Sequence, residues 1–153
     1  MKMKSMIIYA SHHHGNTEKV VKYIAEHYDI TLVNAEETSE VDFDGYDLIG
    51  FASGMDFGKF YPPVTDLAAK LPAGKSVYAI YTCARDDKKY GSQIEKIAKE
   101  TNCTYLGKYG CRGYNTFGPW KIIGGLNKSN PNQEELDGAR LFYERVLELL
   151  KEG

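Results

Sequence analysis

Met6-Ile7-Ile8-Tyr9-Ala10-Ser11-His12-His13-His14-Gly15-Asn16-Thr17 joins a strand pattern to a helix pattern through one tight turn. Its first five residues are an apolar, strand-like run, and an amphipathic helix pattern begins where the stretch ends. Gly15 permits a tight strand-to-helix turn, because glycine tolerates backbone angles that a Cβ forbids. Asn16 and Thr17 put an amide and a hydroxyl where a helix begins, a position they favour. The first amides of a helix have no partner inside it and lie at the positive end of its dipole, so they bind anions well. Ser11 and Thr17 add hydroxyl donors. The loop therefore reads as a cradle for a phosphate monoester, built without Lys or Arg.

Working outward, five predicted strands alternate with helical patterns. The strands fall at 5–10, 30–34, 46–52, 76–81 and 103–109. The first helix carries Val20, Val21, Ile24, Ala25 and Tyr28 on one face. In the second, Val64, Leu67, Ala68 and Leu71 make a helical stripe that stops at Pro72-Ala73-Gly74. Ile94, Ile97 and Ala98 mark a third. The last spans 133–151, with Leu136, Ala139, Tyr143, Val146, Leu147 and Leu150 facing inward. Such alternation predicts an α/β three-layer sandwich, a parallel sheet covered on both faces. Strands one, three and four are continuously apolar, as central strands should be, and two and five are shorter or more mixed. The predicted order is 2-1-3-4-5. Ligands of open α/β sheets bind at the carboxyl ends of strands where the order reverses, here between strands one and three. The loops Ser11–Thr17, Ser53–Tyr61 and Cys83–Tyr90 then share one rim.

Composition agrees with a single domain, 1–153. Hydrophobic content is 42% and charged content 26%, ordinary for a soluble protein. A net charge of −2 gives no case for nucleic acid or an anionic membrane. No apolar run reaches membrane-spanning length, and 1–5 is too short and polar for a signal peptide, so a cytoplasmic location is expected. Cys83, Cys103 and Cys111 read as reduced thiols at no zinc-like spacing.

The second loop, Ser53-Gly54-Met55-Asp56-Phe57-Gly58-Lys59-Phe60-Tyr61, offers two glycines for close backbone approach and three aromatic faces. The third, Cys83-Ala84-Arg85-Asp86-Asp87-Lys88-Lys89-Tyr90-Gly91, offers amides, a guanidinium and another ring. A hydroxyl-rich strand-to-helix loop ending Gly15-Asn16-Thr17, with glycine and aromatic loops after strands three and four, resembles a flavodoxin along essentially the whole chain. The resemblance implies a flavodoxin-like fold, non-covalent FMN and one-electron transfer to redox partner proteins. It implies that Ser11, His12, His13, His14, Gly15, Asn16 and Thr17 hold the FMN phosphate. It implies that Ser53, Gly54, Met55, Asp56, Phe57 and Gly58, with Thr82, Cys83, Ala84, Arg85 and Tyr90, flank the isoalloxazine ring. It also implies a backbone peptide, Gly54–Met55 or Phe57–Gly58, that rotates toward the reduced flavin. Three departures stand out: His14 replaces the family's usual Ser or Thr, the chain is nearly neutral where flavodoxins are acidic, and Arg85 lies in a flavin loop. A guanidinium there is expected to favour the fully reduced flavin, so Arg85→Ala is expected to lower the second potential.

No metal is expected at His12, His13 and His14, since adjacent side chains diverge and no Cys or carboxylate motif completes a site. No catalytic residue is assigned. Cys83 reads as a small residue beside a strand end, and Asp56 either meets the flavin edge or caps a turn. The segment 111–131 is long and apolar, with Tyr114, Phe117 and Trp120; it reads as a flap, a partner surface or an edge cover. The alternative function is an NAD(P)H-dependent FMN or quinone reductase on the same scaffold, although no Gly-x-Gly-x-x-Gly occurs. A receiver-like module lacks its acidic residues here, and no Gly-Lys-Ser/Thr phosphate loop exists. A monomer or weak homodimer is expected.

Overall fold

The structure is a computed structural model that describes residues 3–12, 15–112 and 130–152. In chain order the elements are β1 (Ser5–Ala10), α1 (Asn16–His27), β2 (Thr31–Asn34), β3 (Leu48–Asp56) and β4 (Lys59–Phe60). They continue with α2 (Pro62–Ala68), β5 (Ser76–Cys83), α3 (Ser92–Glu100), β6 (Thr104–Arg112) and α4 (Gln133–Glu152). The sheet runs β2-β1-β3-β5-β6, and β4 pairs with β3 off this path. Every pair on the path is parallel; β3–β4 is antiparallel. The predicted order holds, with β4 added as a short sixth strand.

The period-2 alternation of strand side chains explains two cores from one sheet. Ile8, Ile49, Phe51 and Val77 face α2 and α3, where they meet Val64, Leu67 and Ile94. Ile7, Leu48 and Ile80 face α1 and α4, where they meet Val20, Ile24, Ala139 and Tyr143. Because helices cover both faces, β1 is buried at all six positions and reads as a continuous apolar run. The edge strands β2 and β6 are only half-buried.

Strand ends correct the sequence reading on the functional rim. β3 continues to Asp56 and β5 to Cys83, so Ser53, Gly54, Met55, Asp56, Thr82 and Cys83 are strand residues rather than loop. Ser-Gly-Met-Asp lacks the apolar continuity of a strand, but it finds partners on both sides: Gly54 pairs with Thr82, and Asp56 with Lys59. β6 runs three residues past its predicted end, to Arg112. It carries an extra residue against Val77–Ala79, with Gly107 at φ 134°. Such bulges are common on exposed sheet edges.

Two strand glycines lie directly beside tyrosines of β5. Gly50 is in register with Tyr78 and Gly110 with Tyr81, and a Cβ on either glycine would overlap the neighbouring ring. The rings occupy the volume that the missing side chains leave.

Candidate functional site

The cradle begins at the end of β1. Gly15 is the N-cap of α1 at φ 66°, in the left-handed region, and has no side chain to cap the helix. Ser11 takes that role from four residues upstream: its Oγ accepts the Glu18 N–H at 3.1 Å. Its own proton is not used in that bond. Thr17 is buried, and its Oγ1 lies 2.8 Å from Thr82 Oγ1. Two hydroxyls share one hydrogen bond, so the pair retains one donor proton. This bond ties the first turn of α1 to the end of β5. The nearby cations are engaged elsewhere: Lys19 Nζ donates to the Pro131 carbonyl at 3.0 Å, and Lys22 pairs with Glu18 at 2.7 Å. Among the described residues of this turn, neutral hydroxyls and the positive end of a helix are thus the donors, which fits a phosphate monoester.

His12 leans across this loop. Its Nε2 lies 2.7 Å from Glu36 Oε2, and its ring stacks on Tyr61 with centroids 4.2 Å apart. The stack links the cradle to the second loop. His13 and His14 lie outside the described residues.

The second loop is a β-hairpin. Met55 pairs with Phe60 and Asp56 with Lys59, so Phe57 and Gly58 alone form the turn. Both have positive φ, 51° and 77°, which defines a type I′ turn. Phe57 is 88% exposed at the tip, while Phe60 and Tyr61 are buried, so only one of the three expected aromatic faces is presented. The base is pinned from outside. Ser53 Oγ accepts the Tyr61 N–H at 2.9 Å, and Gln93 Oε1 accepts the Phe60 N–H at 2.7 Å. Gly54 passes so close to Tyr61 that a Cβ would overlap the ring. Burial, with Asp56 and then Glu36 nearby, raises the Tyr61 phenol above its usual pKa.

The third loop, 84–91, is held by Tyr81, whose hydroxyl donates to Asp86 Oδ1 at 2.5 Å. Burial and then that bond raise the Tyr81 phenol far above its usual range. Lys108 Nζ reaches from β6 to the carbonyls of Lys88 and Tyr90, at 2.5 and 2.6 Å. A Cβ on Gly58 would sit 3.6 Å from Tyr90, so the hairpin tip and this loop meet. Cys83 is tucked beside the strand end as expected, and burial, then Asp86, pushes its thiol up to about 12. Cys111 is likewise pushed up to about 12, by burial and then Glu135. Both thiols are held in the protonated form near neutrality, the state of a buried structural cysteine.

Ser11, His12, Gly15, Asn16, Thr17, Met55 to Gly58, Ala84, Arg85 and Tyr90 therefore converge on one rim, as their elements require. Ser53, Gly54, Thr82 and Cys83 are buried and support it from beneath. Asp56 sits in the hairpin ladder opposite Lys59. Sequence reasoning did not single out Glu36 or Gln93; neither has a local signal, because each meets its partner only through the tertiary fold. Of the segment 111–131, only Cys111, Arg112, Asn130 and Pro131 are described. Among the described residues no cluster of three metal-ligating side chains occurs, and no helix is long and apolar enough to cross a membrane.

A family model for the flavodoxin domain matches residues 6–109. The chain belongs to the flavodoxin family. It is 34% identical over 148 residues to an uncharacterized protein of Methanocaldococcus jannaschii, covering 95% of this chain and 99% of that one. A flavodoxin from the domain Archaea superposes with a TM-score of 0.65 at 15% identity, covering 96% of this chain and 99% of the other. A flavoprotein of Lactobacillus acidophilus, solved in complex with FMN, superposes with a TM-score of 0.56 at 20% identity, covering 71% and 93%. At these identities the two structures speak for the flavodoxin fold alone. Within that fold, the cradle lies at the β1–α1 turn, and the two aromatic-bearing loops follow β3 and β5.

Proposed function

We propose that this flavodoxin-family protein binds FMN non-covalently and passes single electrons to a redox partner protein. The observation that carries the reading is the uncharged cradle at the start of α1, on the same rim as the hairpin and the 84–91 loop. A dianionic monoester suits hydroxyl and amide donors at a helix N-terminus. In this reading Ser11, His12, Gly15, Asn16 and Thr17, together with His13 and His14, hold the phosphate. Met55, Asp56, Phe57, Gly58, Ala84, Arg85 and Tyr90 lie along the ring, over the supports Ser53, Gly54, Thr82 and Cys83. Bound FMN supplies reversible one- and two-electron reduction, and the protein supplies binding and electronic tuning. The lining charges are mixed: Lys59, Arg85, Lys88 and Lys89 alternate with Asp56, Asp86 and Asp87. Docking to the partner is then less salt-dependent than for a strongly acidic carrier.

Calorimetry of the purified chain with FMN and with riboflavin tests the reading. FMN is expected to bind far more tightly, and equal affinities would remove the phosphate from the argument. A stepwise reductive titration of the loaded protein is then expected to pass through a spectrally distinct one-electron stage. Direct bleaching by NADPH alone would favour the reductase instead.

A further inference from the structure

The hairpin tip is built against residue preference. Type I′ turns favour Asn-Gly, Asp-Gly or Gly-Gly, because both central residues need positive φ. Here the first central residue is Phe57, at φ 51°. A bulky aromatic in the left-handed region is a genuine outlier, and such outliers persist only where the surroundings over-determine them. The surroundings here are visible: the ladder pairs 55–60 and 56–59, the Gln93 bond to Phe60 and the Ser53 bond to Tyr61 fix both arms.

Those pins limit what the turn can do. Rotating the Phe57–Gly58 peptide by half a turn, with the arms fixed, converts type I′ into type II′. The first central residue of a II′ turn lies in a region occupied by glycine, since any Cβ there strikes the backbone. Phe57 has that Cβ. Escape through type I or II would need Phe57 to change the sign of φ, which splays the arms. The Ser53 and Gln93 bonds oppose that. Gly58 is permissive, but permissiveness at the second position alone does not free the peptide.

We propose that Phe57 locks the Phe57–Gly58 peptide in one orientation, so that the hairpin tip keeps one shape whether a bound flavin is oxidised or reduced. The lock stands on the geometry of the chain; only its link to flavin redox state rests on the FMN reading above. Of the two peptides expected to rotate, Gly54–Met55 and Phe57–Gly58, the lock speaks against the second. Phe57 is in this sense a positioning residue.

The test uses the full chain and two variants. Phe57→Gly admits the II′ form; Phe57→Asn tolerates the left-handed region and excludes II′, while also removing the ring. In the apo-protein, the amide–amide NOE between residues 57 and 58 is expected to be strong in wild type and Phe57→Asn, and weakened in Phe57→Gly. A weak NOE or two signal sets in the wild type overturns the lock. In the FMN-loaded protein, Phe57→Gly is expected to widen the gap between the two reduction potentials by a tenfold change in equilibrium constant, about 59 mV. Phe57→Asn is expected to keep the wild-type gap. An unchanged gap in Phe57→Gly, or an equal change in Phe57→Asn, overturns the link to the flavin. If calorimetry shows that no FMN binds, the FMN reading and the link to it fail together, and the NOE still decides the lock.

Discussion

The cradle and the hairpin share one rim but are held in different ways. The cradle is shaped by its own neighbourhood: Gly15 turns the chain, and Ser11 caps a helix that begins five residues later. The hairpin is shaped by distant residues: Gln93 holds Phe60, and Tyr61 lies over Gly54 and stacks on His12. One is a local turn built around a helix N-terminus. The other is a clamped arm whose tip carries strain at Phe57. Binding strength is thus expected to depend on the first, and tuning of the bound group on the second.

The comparison breaks most sharply at Gly54. Gly54→Ala forces a Cβ into the Tyr61 ring inside the core, and about 3 kcal/mol of stability is expected to be lost, at the upper end of overpacking costs. Urea denaturation checks this, and a loss below about 1 kcal/mol would show that Tyr61 does not clamp the hairpin.

Next comes the hydroxyl pair. Thr17→Val leaves Thr82 Oγ1 buried without its partner, at a cost of about 2 kcal/mol. The double variant Thr17→Val/Thr82→Val is expected to recover part of that stability, because no orphan remains. FMN affinity, measured by calorimetry, is expected to stay about tenfold or more below wild type in the double variant, which keeps no hydroxyl donor at either position. Affinity that recovers along with stability would make the pair structural only.

Alkaline pH strikes supports on both sides of the sheet. Cys83 and Cys111 keep their protons up to about 12 when folded, and an unfolded thiol loses its proton near 8.5. The native state therefore binds more protons in that window. Its stability is fully present below the unfolded value and declines as pH rises toward 12. A loss of roughly 1 to 2 kcal/mol per thiol by pH 10 is expected from denaturation midpoints, and Cys83→Ala should remove about half of the slope. The smallest effect is expected at Glu36→Gln. The His12–Glu36 pair is exposed, so less than about 1 kcal/mol should be lost.

The difference between the regions also explains what could be read in advance. The β1–Gly15–α1 turn is written in consecutive residues, so strand, turn and helix start were all legible. Strand order followed from apolar continuity in β1, β3 and β5, which reflects burial on both faces. The hairpin was not legible. β4 has two residues, and Phe57 stands where turn preference asks for glycine or asparagine. The Thr17–Thr82 bond joins residues 65 apart in the chain. Such a pairing exists only after the sheet has formed.

The tyrosine–glycine contacts along β5 carry a consequence for how this chain can vary. Tyr78 rests against Gly50 on one neighbouring strand, and Tyr81 against Gly110 on the other. A larger residue at either glycine therefore requires a smaller one at the tyrosine beside it. A descendant that acquired a methyl group at Gly110 would have to surrender the Tyr81 phenol, and with it the tether to Asp86. Drift at one glycine on the outermost strand would then loosen the loop that follows β5.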